Sequence, residues 1–278
     1  MRRRFRDGLA YRESLSKGAP LGTLLFVHGL GESGLCFEGL LEEEKLEAFC
    51  RVAVDLPGYG ASPWDHDPRS LTACAELLAG WLLPLESPVV VLGHSMGGVV
   101  AQLLLELPGP HHAQLRAFAD VEGNLSPPDC TFSGPVAAQE RGAFLANGYE
   151  RLLERLYQDG ARDLALRSYF VSCRLCDPRA YHRHSGELVE VSQREDLAQR
   201  LAALTLPKLY LHGSPRGTGA RSLALLRDAG VPSIAIDGAG HWPFLDRHDA
   251  VVDALVAFLD SAVATITPPE AAGPYLAI

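Results

Sequence analysis

The sequence predicts an α/β fold: a mostly parallel sheet with helices on both faces, interrupted late by a helical insertion. Three observations predict it. Short aliphatic runs alternate with amphipathic stretches through the first half, the pattern of strands joined by crossover helices. From about residue 126 to 203 the alternation stops and only helical patterns recur. It then resumes and continues almost to the C-terminus.

Taken in order, Leu24-Leu25-Phe26-Val27 is a short continuous apolar run that suits a buried strand, ended by His28-Gly29. Residues 36 to 49 read as a helix, with Leu40, Leu41, Leu46 and Phe49 apolar and a Glu-rich outer face. Val52-Ala53-Val54 is a second buried strand, closed by Asp55-Leu56-Pro57-Gly58-Tyr59-Gly60. A helix over 71–83 stops at Pro84, and Val89-Val90-Val91-Leu92 is the third strand. A helix over 99–107 ends at Pro108-Gly109, and 115–121 is the fourth strand. The insertion offers helices near 149–157 and 197–204. Beyond it come a strand over 208–211, a helix over 221–229, a strand over 233–236 and a last helix over about 250–262. The expected organisation is a core of residues 1–125 and 204–265, a helical cap over 126–203, and a loose C-terminal tail over 266–278, where prolines crowd.

With 278 residues, 47% hydrophobic and 21% charged, the chain has the composition of a folded domain rather than a disordered or membrane protein. No apolar stretch approaches the length that spans a bilayer. A formal net charge of -9 disfavours binding to phosphate backbones, so no nucleic-acid partner and no membrane partner is expected. The one basic cluster, Arg2-Arg3-Arg4-Phe5-Arg6, reads as a solvated terminus, because no apolar leader segment follows it. The six scattered cysteines read as reduced thiols in a cytoplasmic protein. Cys173-Arg174-Leu175-Cys176 with His182 and His184 fits no standard zinc module, so no metal is expected there.

The strongest chemical signal is Gly93-His94-Ser95-Met96-Gly97-Gly98, a G-x-S-x-G pattern set between an aliphatic strand and an apolar helix. A serine hydroxyl that must stand clear of a sheet needs a tight, strained strand-to-helix turn, and bulky neighbours would collide there. The Met96 N–H then points at a forming oxyanion from the helix N-terminus. His28-Gly29-Leu30-Gly31, directly after an earlier strand, offers a second donor, the N–H of Leu30. Of ten histidines, His241 in Gly240-His241-Trp242-Pro243-Phe244 is the one on a loop leaving a late strand with glycine before it, which makes it the candidate base. His94 points away from the site by strand geometry and is read as structural.

These residues, from His28-Gly29 through Asp55-Leu56-Pro57-Gly58-Tyr59-Gly60 and the serine turn to Gly240-His241, make the chain resemble the α/β-hydrolase family, in its capped esterase-like branch. The resemblance implies the α/β-hydrolase fold and spans nearly the whole chain. One departure stands out. The family most often carries its acid just after the strand that follows the cap, and here that stretch, His212-Gly213-Ser214-Pro215-Arg216-Gly217-Thr218, holds no carboxylate. Some members place it instead at the end of the strand before the cap, here Asp120-Val121-Glu122. Glu122 sits at the carboxyl end, where catalytic groups gather. Asp120 points to the same side but lies two residues deeper, roughly 6–7 Å back. Glu122 is therefore the favoured acid, with Asp120 and Asp129 as alternatives.

A serine at the turn argues against epoxide and halide chemistry, for which the family is known to use an aspartate, and suits acyl transfer. The expectation is a serine hydrolase acting on a small, hydrophobic carboxylic ester through an acyl-enzyme, with no cofactor. Trp64 and Trp242 flank the expected site as substrate-binding candidates, and the aromatics of the cap are read mainly as its own core. Two alternatives remain at this level. One is another acyl reaction on the same residues: thioester or amide cleavage, acyl transfer, or carbon–carbon bond hydrolysis. The other is a ligand-binding protein with little turnover, favoured only by the missing aspartate.

Overall fold

The computed structural model describes residues 1–263. The tail expected over 266–278 lies outside the described residues. Eight strands build one sheet: β1 (Arg2–Arg6), β2 (Leu9–Ser14), β3 (Thr23–Val27), β4 (Cys50–Asp55), β5 (Val89–His94), β6 (Leu115–Val121), β7 (Lys208–Pro215) and β8 (Ser233–Ala239). Their spatial order is β1-β2-β4-β3-β5-β6-β7-β8. Pairings from β4 to β8 are parallel, while β1/β2 and β2/β4 are antiparallel. The central strands β3 and β5 are buried along their whole length. Each fully buried Leu or Val side chain there contributes about 1.5–3 kcal/mol of transfer free energy.

Arg2–Arg6 is solvent-exposed over most of its length, as its reading as a solvated terminus expects, but it is ordered as the edge strand of an N-terminal hairpin. Asp7 and Gly8 take φ of 50° and 83°, the two-residue turn whose twist matches a hairpin. β2 then enters the sheet, and its Arg12 Nη1 donates to buried Asp55 Oδ1 at 2.7 Å. The basic residues lie on the edge strand β1, where charge discourages pairing with another chain. Arg6 is tied down by stacking over the Trp81 ring at 4.0 Å.

Residues 36 to 49 are not one helix. The chain forms a 3-10 turn Gly34–Phe37, a short helix α1 (Glu38–Glu42) and a second 3-10 turn Glu44–Leu46. Glu43 breaks the run with an extended ψ of 122°. Its side chain accepts from the Lys45 amide and from His248 Nε2, both at 3.0 Å, and its carbonyl accepts from Arg51 Nη1 at 2.7 Å. These long-range partners override a pattern that is helical by periodicity alone.

The remaining helices follow their local signals. α2 (Leu71–Leu82) is capped by Ser70 Oγ on the Ala73 amide at 3.1 Å. α3 (Met96–Glu106) follows β5 directly. Between β6 and β7 come α4 (Ser133–Ala137), α5 (Arg141–Ala143), a π turn Phe144–Gly148, α6 (Tyr149–Asp159), α7 (Leu164–Cys173), α8 (Pro178–Gln193) and α9 (Leu197–Ala203). Asp163 and Asp177 cap α7 and α8, and Pro178 opens α8 where its missing N–H costs nothing. α10 (Ala220–Ala229) ends at Gly230 in the left-handed conformation, φ 71°. A single turn α11 (Pro243–Asp246) and the long α12 (His248–Val263) complete the core. Among the described residues no helix is long and apolar enough to cross a membrane.

Candidate active site

The carboxyl ends of four parallel strands meet in one cleft. β3 leads into the 28–31 loop, β5 into Ser95, β6 into Glu122, and β8 into His241. Adjacent registers bring the strand ends level: the Ser95 amide donates to the Val121 carbonyl, and the Glu122 amide to the Leu211 carbonyl, each at 2.9 Å. Ser95 and Glu122 both take positive φ, 52° and 55°. Left-handed backbone at two non-glycine residues is strain held by the surrounding structure, and it aims both side chains out of the sheet.

Ser95 occupies the N-cap position of α3, yet its hydroxyl makes no capping bond. The oxygen donates instead to His241 Nε2 at 3.1 Å. The two glycines around it are sterically required. A Cβ on Gly93 would lie 2.4 Å from the Gly97 carbonyl oxygen, and one on Gly97 would lie 2.0 Å from that of Val27. Helix α3 can therefore start against β3 only without those side chains. Met96 opens the helix, so its N–H has no acceptor within the helix, and Leu30 lines the same cleft.

His241 Nδ1 donates to Glu122 Oε2 at 3.2 Å. Nε2 is left as acceptor for the serine proton, the tautomer a general base needs. The other Glu122 oxygen accepts from the Gly213 amide at 2.7 Å and the Thr218 amide at 3.0 Å. Burial pushes the Glu122 carboxyl up, but the His241 partner and the two amides outweigh it and hold the group below its ordinary value. The stretch 212–218, which lacks an acid of its own, is thus the cradle for the acid from the neighbouring strand. Gly217 makes room for it: a Cβ there would stand 2.2 Å from Glu122 Oε1.

The other carboxylates do different work. Asp120 is buried, its Oδ1 has no hydrogen-bond partner among the described residues, and burial together with nearby Glu122 pushes it up to about 8. Asp129 Oδ2 accepts from the Leu125 and Ser126 amides and from Ser222 Oγ at 2.8, 3.0 and 2.7 Å, so it holds the turn after β6. The ring of His241 meets Glu122, not either of these.

A second acid–imidazole pair lies behind the first, and sequence reasoning missed its acid. Glu32, in the glycine loop after β3, is buried. Its Oε2 accepts from the Gly29 amide at 2.6 Å and from His94 Nδ1 at 2.8 Å, and its Oε1 from Trp242 Nε1 at 2.5 Å. His94 Nε2 in turn donates to the His241 carbonyl at 2.8 Å. Both partners of the His94 ring are acceptors when Glu32 is ionised, an arrangement that favours the doubly protonated ring. Burial disfavours that charge, but Glu32 raises the His94 value above the usual range. Burial likewise pushes Glu32 up, yet His94, Trp242 and Gly29 bring it down to about 2. One carboxylate thus ties the loop that holds Leu30, the residue before Ser95, and the loop that carries His241. The signal in sequence is an acid inside an otherwise small and apolar loop, but its partners lie 62 and 210 positions away.

Trp242 lines the cleft together with Phe132 and Tyr169 from the helical segment, their rings 5.7 and 5.2 Å from its own. Trp64 does not join them. It is 51% exposed and stands outside the cleft lining, because the turns from Leu56 to Pro63 close on themselves and direct the chain outward. The expected substrate-binding role of Trp64 is corrected on that ground. Cys173 and Cys176 are buried, and His184 bridges Tyr59 Oη and the Arg69 carbonyl at 2.7 and 2.8 Å. The cleft has about 20 Å³ of free volume, room for about one water-sized group.

Comparison with known proteins bears on the family and the fold. The model of the alpha/beta hydrolase family matches residues 24–254. A pimeloyl-[acyl-carrier protein] methyl ester esterase of Edwardsiella ictaluri is 31% identical over 264 residues, 87% of this chain and 95% of the relative. The enzyme of that name from Pectobacterium atrosepticum is 29% identical over 254 residues, 87% of this chain and 96% of its own. Among solved structures, a thermophilic esterase from Thermogutta terrifontis superposes with a TM-score of 0.71 at 22% identity, covering 91% of this chain and 93% of that one. An N-acyl homoserine lactonase bound to N-butanoyl homoserine gives 0.72 at 20% identity, over 97% and 100%. At such identities the two structures speak for the fold alone. This chain belongs to the alpha/beta hydrolase family.

Proposed function

We propose that this chain is a serine ester hydrolase that cleaves the methyl ester, or a similarly small alkyl ester, of an acyl chain through an acyl-enzyme on Ser95. The observation that carries the reading is the continuous hydrogen-bonded line Ser95–His241–Glu122 in the cleft that Leu30 also lines. His241 takes the Ser95 proton as Oγ attacks the ester carbonyl. The negative charge that develops on the carbonyl oxygen is met by the Leu30 and Met96 N–H groups. His241 returns its proton to the departing alkoxide, and the alcohol leaves. Water then repeats the sequence on the acyl-enzyme and releases the acid. Glu122 orients the ring and balances the imidazolium charge, and it stays ionised because its second oxygen is held by two amides.

The helical segment 126–203 serves as a cap in this reading. A cleft with so little free volume suits a small alcohol. A longer acyl chain has a hollow of about 270 Å³ within that segment, which shares Phe132 with the cleft and is walled by Val136, Leu152, Leu156 and Leu166 together with the charged Arg151, Arg155 and Asp159. Relatives named for methyl esters carried on an acyl-carrier protein make a carrier-borne chain the first substrate class to try. A cytoplasmic setting suits the six cysteines, all of them free thiols.

The test is hydrolysis of p-nitrophenyl acetate and butyrate and of simple methyl esters by wild type and Ser95→Ala, with fluorophosphonate labelling alongside. Serine-dependent turnover with a loss of about 10³-fold or more in the variant is expected. Neither turnover nor labelling of Ser95 would leave a binding protein as the better reading. Thioester, amide and diketone substrates run in parallel sort the other acyl reactions.

A further inference from the structure

Two buried polar oxygens in the wall of the catalytic cleft lack a hydrogen-bond partner among the described residues. Asn124, two residues after Glu122, is 4% exposed, and its Oδ1 has no partner among the described residues. Its amide nitrogen has only a distant contact with Cys130 Sγ at 3.9 Å. Ser133, at the start of α4, is 1% exposed, and its Oγ also lacks a partner. Both residues line the cleft that holds Ser95 and His241. Buried polar atoms are nearly always hydrogen-bonded, and an orphaned one is costly unless something supplies the bond. Two of them in one small cleft, from two different elements, mark a place where a bound molecule completes the set. The helical segment also contributes Asp129, Phe132, Tyr169 and Leu188 to this wall; Asp129 Oδ2 is already taken up by the Leu125 and Ser126 amides and Ser222 Oγ, and the Tyr169 hydroxyl by Tyr181.

We infer that Asn124 and Ser133 form a polar subsite selecting esters that carry a hydrogen-bonding group, such as a hydroxyl, within a few bonds of the scissile carbonyl. The inference rests on the ester-hydrolase reading above and sharpens its substrate class: the portion of substrate next to the reacting carbonyl is polar, while any apolar length lies beyond Phe132. Asn124 offers an acceptor or, with its amide turned, a donor, and Ser133 offers both, so a hydroxyl is matched in either sense. A site built to bond a substrate hydroxyl discriminates strongly against the analogue that lacks it, because its own buried groups are then left bare.

The experiment compares kcat/KM for methyl butyrate with that for methyl 2-, 3- and 4-hydroxybutyrate, followed as methanol release. Each value is divided by the ester's rate of alkaline hydrolysis to remove intrinsic reactivity. At least one hydroxy ester is expected to be preferred about tenfold or more by the wild type. The ratio is expected to fall toward one in Asn124→Ala and Ser133→Ala. A ratio cancels any general loss of activity, and Ser133→Ala removes only a hydroxyl, so it decides the matter should Asn124→Ala fail to fold. Turnover of all four esters with no preference overturns the polar subsite but leaves the ester hydrolase standing. A preference that survives both substitutions overturns the assignment to these residues. Absence of turnover with every ester overturns the underlying reading and this inference with it.

Discussion

Replacing Glu32 by glutamine tests whether one buried carboxylate holds the catalytic loops in register. The carboxyl sits at about 2 in the fold against an ordinary 4.5, a difference of about 2.5 pH units. At about 1.4 kcal/mol per unit this linkage is worth roughly 3 kcal/mol. Breaking a buried ion pair from one side costs about 3–5 kcal/mol, which agrees. Glutamine keeps the shape but has one acceptor oxygen. With that oxygen toward Gly29 and His94, its NH₂ faces the Trp242 N–H, donor against donor. For a chain of this size the melting temperature should drop by about 6–12 °C near pH 6. The sign of the pH dependence follows from both partners. The value of Glu32 is lowered, so its stabilisation is present above about 4.5 and is lost as pH falls toward about 2. The value of His94 is raised from 6.5, so its share is present below that and fades as pH rises through the folded value. The gap between wild type and variant should therefore be widest between about pH 4.5 and 6.5 and narrow toward pH 3. Scanning calorimetry or circular-dichroism melts at several pH values measure it, and kcat should fall as well, since His94 holds the His241 carbonyl. Equal melting temperatures at pH 6, or a gap that stays constant from pH 3 to 8, would refute the reasoning.

Two further substitutions address the acid. Glu122→Gln should lower kcat by about 10²–10⁴-fold, while Asp120→Asn should change it by less than about tenfold; the reverse ranking in steady-state assays would move the acid to Asp120. Asp120→Asn should also stabilise the fold: a carboxyl raised from 3.8 to about 8 makes the native state bind the extra proton, so wild-type stability falls as pH rises between those values. Melting curves should show the advantage of the variant growing from pH 4 to 8 and then levelling. Gly217→Ala puts a Cβ 2.2 Å from Glu122 Oε1 and should cost about 10²-fold in kcat by displacing the carboxylate. The same change in the Glu122→Gln background should then add little, and a full multiplicative loss in the double variant would place the effect elsewhere.

Much of the site is written locally. The serine turn announces itself because only glycines permit α3 to begin against β3, and a strand on one side with a helix on the other is visible within a dozen residues. His241 is legible from the glycine before it and its place after the last strand. Glu122 was reachable from what the family resemblance implies once the stretch 212–218 proved empty of carboxylates, but the two amides of that stretch around its second oxygen were not. Trp64 was expected to flank the site, but side-chain direction after a run of tight turns is not a property of sequence neighbourhood.

The sequence by itself indicated the six parallel strands, the core helices after residue 71, and the serine and histidine of the candidate site, because strand burial, helix periodicity and glycine sterics act over a few residues. Only the tertiary structure decided which carboxylate meets His241, that Glu32 and His94 form a charged pair beneath it, that the first fourteen residues are a hairpin in the sheet, and that residues 36 to 49 break at Glu43. Each of these draws at least in part on groups tens to hundreds of positions apart being carried into contact: Glu122 with His241, Glu32 with His94, Asp55 with Arg12, and Glu43 with His248. Chain separation hides such pairings, and burial is what makes them strong.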